Sequence, residues 1–155
     1  HRIARRQRQM CIRDRHFLDN NPLSSEEMLI RLAAFLLILI FVHQIKQNRA
    51  SALLVLYFVM TTQVVNAIFH VFFSFYFADF SPGAITGVLL YLPINYLIYK
   101  AAMNDGYIKN NVEILILFIL GATTFTLFEA FGPAVTAVSI VLYPVFYFLL
   151  KTKEA

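Results

Sequence analysis

Residues 52–76 read ALLVLYFVMTTQVVNAIFHVFFSFY, a run of 25 residues without an Asp, Glu, Lys or Arg. A bilayer's hydrocarbon core calls for about 20 apolar residues in helical form, and only an α-helix or a closed barrel leaves no backbone group unpaired there. The run is apolar on every side rather than alternating, which selects a helix over a strand. Four more predominantly apolar runs flank it, at 28–44, 84–100, 112–130 and 134–150. Short polar breaks separate them: QIKQNRAS (44–51), ADFSPG (78–83), MNDGYIKNN (103–111) and FGP (131–133). The expected fold is all-α, a polytopic transmembrane helical bundle of five spans.

Composition agrees. The 155 residues are 59% apolar and hold 16 Phe and 8 Tyr but no Trp, with a mean hydropathy of +0.67. A soluble fold of this size leaves roughly a third of its unfolded surface exposed and could not hide so much apolar area. An ordinary cytosolic enzyme, a disordered tail and a disulfide scaffold are excluded, the last because Cys11 is the one cysteine.

The formal charge of +4 is unevenly placed. Residues 1–15 carry Arg2, Arg5, Arg6, Arg8, Arg13 and Arg15 against Asp14, a net +5, so the rest of the chain sits at −1. Such a cluster ordinarily suggests nucleic acid or an anionic membrane surface. Here RRQRQMCIRDR (5–15) resembles the in-frame translation of a sequencing adapter. On that reading residues 1–15 are an unstructured artefact outside the fold, residues 16–155 are the transmembrane domain, and membrane lipids rather than nucleic acid are the expected partners.

Several local signals set the expected helix ends. Ser24 and Glu27 form a capping box before the first span, and Pro82 and Pro133 open the third and fifth. Outside residues 1–15 the basic residues are Arg31, Lys46, Arg49, Lys100, Lys109, Lys151 and Lys153. All but Arg31 fall in or beside the 44–51 and 103–111 breaks or in the C-terminal tail. The positive-inside rule places those regions, and the C-terminus, in the cytoplasm. The first span then starts outside, so the expected whole is a six-span protein of which this chain is a fragment with a truncated N-terminus.

Residues 82–100 and 133–151 align without gaps at an offset of 51, matching Pro82/Pro133, Pro93/Pro144, Tyr96/Tyr147 and Lys100/Lys151. Either this is a parallel duplication or membrane helices sharing a small vocabulary. Pro93 and Pro144 lie inside their helices, where each removes a donor and crowds the carbonyl four residues earlier, at Leu89 and Ile140.

Chemistry concentrates in the second span. Gln63, Asn66, His70 and Ser74 are spaced 3, 4 and 4 apart and share one helical face. Polar side chains at membrane depth are costly and face a bundle's interior. Thr86, Thr123, Thr124, Thr126, Glu129, Thr136 and Ser139 are expected at the same outer depth. The bland alternative for Gln63 and the Ser/Thr residues is interhelical hydrogen bonding. For His70 that alternative and a functional role stand level. Glu113 and Asp79 are expected to be solvated near helix ends, and His43 to cap the first span. No Gly-rich phosphate loop, GxSxG, HExxH or CxxC is present, and nothing completes a catalytic set.

Residues 64–108 resemble the central signature of the HXXEE family of small bacterial membrane proteins. The likeness rests on Asn66-x3-His70, then Phe80, Ser81, Pro82, Gly83 and Thr86, then Pro93. The His-x-x-Glu-Glu motif that names the family is absent from this chain; in the family it lies in a preceding helix. The resemblance implies a bacterial cytoplasmic (inner) membrane location and leaves molecular function open. One expectation is a membrane-embedded metal-dependent hydrolase acting on a lipid or small amphiphile, with His70 as a ligand of zinc or another divalent metal and Asn66 orienting it. The alternative is a non-enzymatic membrane carrier or interaction protein.

Overall fold

The computed structural model describes residues 25–77 and 82–152. Residues 1–15, Ser24 and Asp79, to which the sequence assigned roles, lie outside them. Every described element is helical. Helix α1 is Ser25–Lys46. Helix α2 runs without interruption through Arg49–Val59, a π-helical stretch Met60–Val65, and Asn66–Phe77. Helix α3 does the same through Pro82–Thr86, the π-helical Gly87–Tyr91, and Leu92–Asn104. Helices α4, Asn111–Phe131, and α5, Pro133–Thr152, complete the bundle.

The polar breaks are shorter than their composition suggests, because capping lets the helices run into them. Between α1 and α2 only Gln47 and Asn48 leave the helix. Gln47 adopts φ 45°, in the left-handed region, and its N–H reaches the His43 carbonyl at 2.7 Å. Asn48 then caps α2 by accepting from the Ser51 N–H at 2.9 Å. Asn110 caps α4 in the same way, through the Glu113 N–H at 3.0 Å. One residue, Gly132 at φ 66°, turns α4 into α5. A Cβ would be strained there, and Pro133 follows at the first helical position.

Both π stretches have local causes. In α2 the Thr61 and Thr62 hydroxyls donate to the Tyr57 and Phe58 carbonyls, at 2.9 and 2.8 Å. They thereby compete with the backbone ladder. In α3, Pro93 offers no N–H to Leu89, and the preceding turn widens so that the Leu92 N–H bonds Gly87 O instead. Pro144 sits within an α-helix with no such widening. The two halves of the sequence alignment therefore differ in structure at their shared proline.

Two apolar clusters hold the helices together. Leu53, Leu56, Met60, Val65, Tyr99, Ala102, Ile108 and Leu117 join α2, α3, the 105–110 loop and α4. Leu39, Leu54, Phe58 and Tyr143 join α1, α2 and α5, with the Phe35 ring edge-on to Tyr143 at 5.1 Å. Helix α2 contributes to both and lies at the centre. The outer surface is apolar: Leu89, Val141, Tyr76 and Phe75 are 71 to 82% exposed. Three stretches, Arg49–Tyr76, Gly83–Asn104 and Asn111–Phe131, are long and apolar enough to cross a membrane, and α5 adds a shorter apolar stretch, Ala137–Leu149.

Candidate functional site

The polar stripe of α2 meets α3, though its members do different things. Gln63, inside the π stretch, accepts through Oε1 from Asn95 Nδ2 at 2.8 Å. Asn95 Nδ2 also donates to the Tyr91 carbonyl at 2.7 Å. Asn95 is 1% exposed, and no donor among the described residues reaches its buried Oδ1. One turn further in, the Tyr99 hydroxyl donates to the Leu56 carbonyl at 2.6 Å.

Glycine decides how closely the outer halves of α2 and α3 approach. A Cβ on Gly83 would lie 3.0 Å from three atoms of the His70 imidazole, and one on Gly87 would lie 2.9 Å from the Ala67 Cβ. Gly83-x3-Gly87 thus forms a flat seat on α3, of the small-xxx-small kind that lets helices meet. The His70 ring rests on it. Ser74 Oγ, one turn beyond, is buried without a hydrogen-bond partner among the described residues. Gly121 plays the same part on α4, where a Cβ would lie 3.2 Å from Met60 Cγ and from Thr61 Oγ1.

Three of the threonines expected near His70 bond back to their own helices. Thr123 and Thr126 donate back to Ile119 and Ala122 of their own helix, both at 2.8 Å, and Thr86 bonds Gly83 O at 3.2 Å. Thr124 crosses to another helix, bonding the Tyr57 hydroxyl. The side chain of Thr136 lies outside the described set. Among the described residues no three His, Cys, Asp or Glu lie close enough to hold a metal ion. His70 therefore brings one imidazole, not a completed metal site.

A second polar cluster ties the other end of the bundle. Arg49 donates through Nε to the Tyr107 carbonyl at 3.0 Å and pairs through Nη2 with Glu113. Glu113 Oε2 also accepts the Lys109 N–H at 2.9 Å. His43 Nδ1 is 2.9 Å from Ser51 Oγ, and its ring stands edge-on to Tyr107. Asn48 Nδ2 donates to the Tyr147 hydroxyl at 3.0 Å. Glu113 and His43 are thus structural fasteners rather than a solvated carboxylate and a terminal cap. The reason is geometric: Arg49 opens α2 beside the α3–α4 loop, where a carboxylate at the start of α4 can meet it.

Asn95, the paired glycines and the Arg49–Glu113 link escaped the sequence reading. An Asn two residues after a mid-run proline, and glycines four apart, were the available signals.

No curated protein and no solved structure matches the chain. A family model, described as a protein of unknown function with HXXEE motif, matches residues 4–98, which is more than half of the sequence and takes in the Asn66–His70 stripe, the Gly83–Gly87 seat and Asn95. The chain belongs to the HXXEE family.

Proposed function

We propose that this is a multi-pass protein of the bacterial inner membrane in which all five helices span the bilayer and the C-terminus faces the cytoplasm. The observation that carries this reading is the apolar exterior of α3, α4 and the outer end of α2, whose large side chains face outward. Helices α1 and α5, with 22 and 20 residues, reach about 30 Å at 1.5 Å per residue, the thickness of a bilayer core. Exposed Lys46, Lys100 and Lys109 sit in or beside the connections at the Arg49–Glu113 end, which supports a cytoplasmic assignment for that end. A periplasm-active reporter fused after Ala155 is expected to stay silent, and one inserted within residues 79–81 to be active. The reverse pattern overturns the orientation.

Within that frame the geometry favours a non-enzymatic carrier of a small amphiphile, or a membrane interaction protein. What supports it is a hydrogen-bonded polar pair, Gln63 and Asn95, set between two π-widened helices. A second reading, a metal-dependent hydrolase acting on a lipid or small amphiphile, draws on the fixed seat of His70 against Gly83. Its remaining zinc ligands would have to come from outside the described residues, so no reaction step is assigned to it. Elemental analysis separates the two. Carriage expects no stoichiometric divalent metal in an intact family member, whereas hydrolysis expects metal that is lost when the residue matching His70 is changed to Ala.

A further inference from the structure

We propose that Gln63 and Asn95 hold one internal water molecule between the π stretches of α2 and α3, so that the contact between these helices is a hydrated polar site and not a dry one. The site needs neither an amphiphile nor a metal, and it stands whether the carrier or the hydrolase reading holds.

Asn95 fixes the orientation of its own amide. Its Nδ2 donates to Gln63 Oε1 at 2.8 Å and to the Tyr91 carbonyl at 2.7 Å, which uses both of its hydrogens. Turning the amide over would set Oδ1 against the Tyr91 carbonyl, acceptor against acceptor. Oδ1 is therefore committed to the other side of the group, where it is buried and receives no donor from the described residues. A buried amide oxygen is seldom left in that state, and ordered water is a regular partner for such groups.

The neighbouring hydroxyls have no hydrogen to spare. Tyr99 gives its own to the Leu56 carbonyl, and Thr61 and Thr62 give theirs to the Tyr57 and Phe58 carbonyls. Each hydroxyl carries one hydrogen, so recruiting any of them would unpair a backbone carbonyl. Asn95 is 1% exposed, which keeps lipid headgroups and amphiphiles away from its amide. Water is the donor small enough to serve it.

An internal water requires two to four polar partners, and the two π stretches offer them. Gln63, within Met60–Val65, presents Oε1 to Asn95, so its Nε2 hydrogens, which no described residue accepts, remain to donate. In the Gly87–Tyr91 stretch the Leu92 N–H bonds Gly87 O, and Pro93 has no N–H. The Val88 carbonyl thus loses the donors four and five residues ahead of it. Ordered water is one of the means by which membrane helices satisfy backbone groups freed at a proline. A single water can accept from Gln63 Nε2, donate one hydrogen to Asn95 Oδ1 and donate the other to a freed carbonyl of α3.

Proton-detected solid-state NMR of the full chain in nanodiscs tests this, with carbon-bound positions deuterated and exchangeable positions protonated. Magnetisation transfer from water is expected to give cross-peaks at the side-chain amide protons of both Gln63 and Asn95. Asn95→Leu removes the acceptor and is expected to abolish the Gln63 cross-peak. An unshifted Arg49 Nε–H resonance, from the bond to Tyr107 at the other end of the bundle, marks the variant as folded. Should Asn95→Leu fail to fold, Gln63→Leu removes the donor instead, and the expected loss is read at the Asn95 amide protons. Absence of a water cross-peak at both residues in the wild type overturns the site. So does a Gln63 cross-peak that survives Asn95→Leu in a folded protein, because that water is then not held by Oδ1.

Discussion

Gly87→Leu is expected to lower the unfolding midpoint of the detergent-solubilised protein more than any other single change on the α2–α3 interface. A Cβ at position 87 already lies 2.9 Å from the Ala67 Cβ and 3.2 Å from its Cα, so the helices must part before the rest of a leucine is accommodated. Overpacking of this kind costs about 1–3 kcal/mol. In lipid it is not offset by burial, because the surrounding chains are as apolar as leucine itself and close packing is what joins helices. Gly87→Ala is expected to fall between wild type and Gly87→Leu. Combining it with Ala67→Gly moves the methyl group to the other helix and is expected to recover most of the loss. Chemical denaturation of wild type, Gly87→Ala, Ala67→Gly and the double variant gives the coupling directly; additive losses would mean that the two residues do not share one contact.

Arg49→Met is expected to have the second largest effect, at the opposite end of the molecule. The guanidinium holds the Tyr107 carbonyl and the Glu113 carboxylate together, binding the start of α2 to the loop before α4. Hydrogen bonds to charged groups contribute about 1.5–3 kcal/mol. The two side chains are 23 and 24% exposed, which admits some screening and brings the expected loss to about 1–2 kcal/mol. Glu113→Gln in the Arg49→Met background is expected to restore part of it, since the uncompensated carboxylate is then removed. Adding salt to the wild type is expected to cost less than either substitution, because a half-buried pair is screened less than an exposed one. A salt effect as large as that of Arg49→Met would place the pair in solvent.

The helices were legible because apolar runs interrupted by caps and glycines leave few alternatives, and the five runs correspond to the five helices. What the sequence concealed was the way they touch. Gln63 was placed on a face with Asn66 and His70 by counting 100° per residue, yet Thr61 and Thr62 rewind the backbone around it, and hydroxyl back-bonding has no signature distinct from ordinary helical threonine. Asn95 was hidden by its neighbours: a single Asn among Pro93, Ile94 and Tyr96 scores as a minor interruption, although burial makes it the most constrained polar group in α3. Glu113 illustrates the converse. Its position at a helix start suggested solvent, and only the return of α4 beside α2 gives it Arg49. Pairings over 64 residues depend on which helices are neighbours, and that is settled by small residues such as Gly121 rather than by the charges themselves.

The connection from 105 to 110 divides the chain in a way that its length conceals. On one side lies the α1–α2–α3 meander, and on the other α4 and α5, joined by Gly132 alone. The two pieces meet chiefly along α2, through Thr124 on Tyr57, Met60 and Thr61 on Gly121, and Tyr147 on Asn48. The link belongs to that seam at Tyr107 and Ile108, through the carbonyl that Arg49 holds and a side chain buried in the core, whereas Asp105 and Gly106 are exposed. In the language of modular assembly, the molecule is a three-helix unit and a two-helix unit fitted together, and the open turn at Asp105–Gly106 is the place where the chain best tolerates being opened or lengthened.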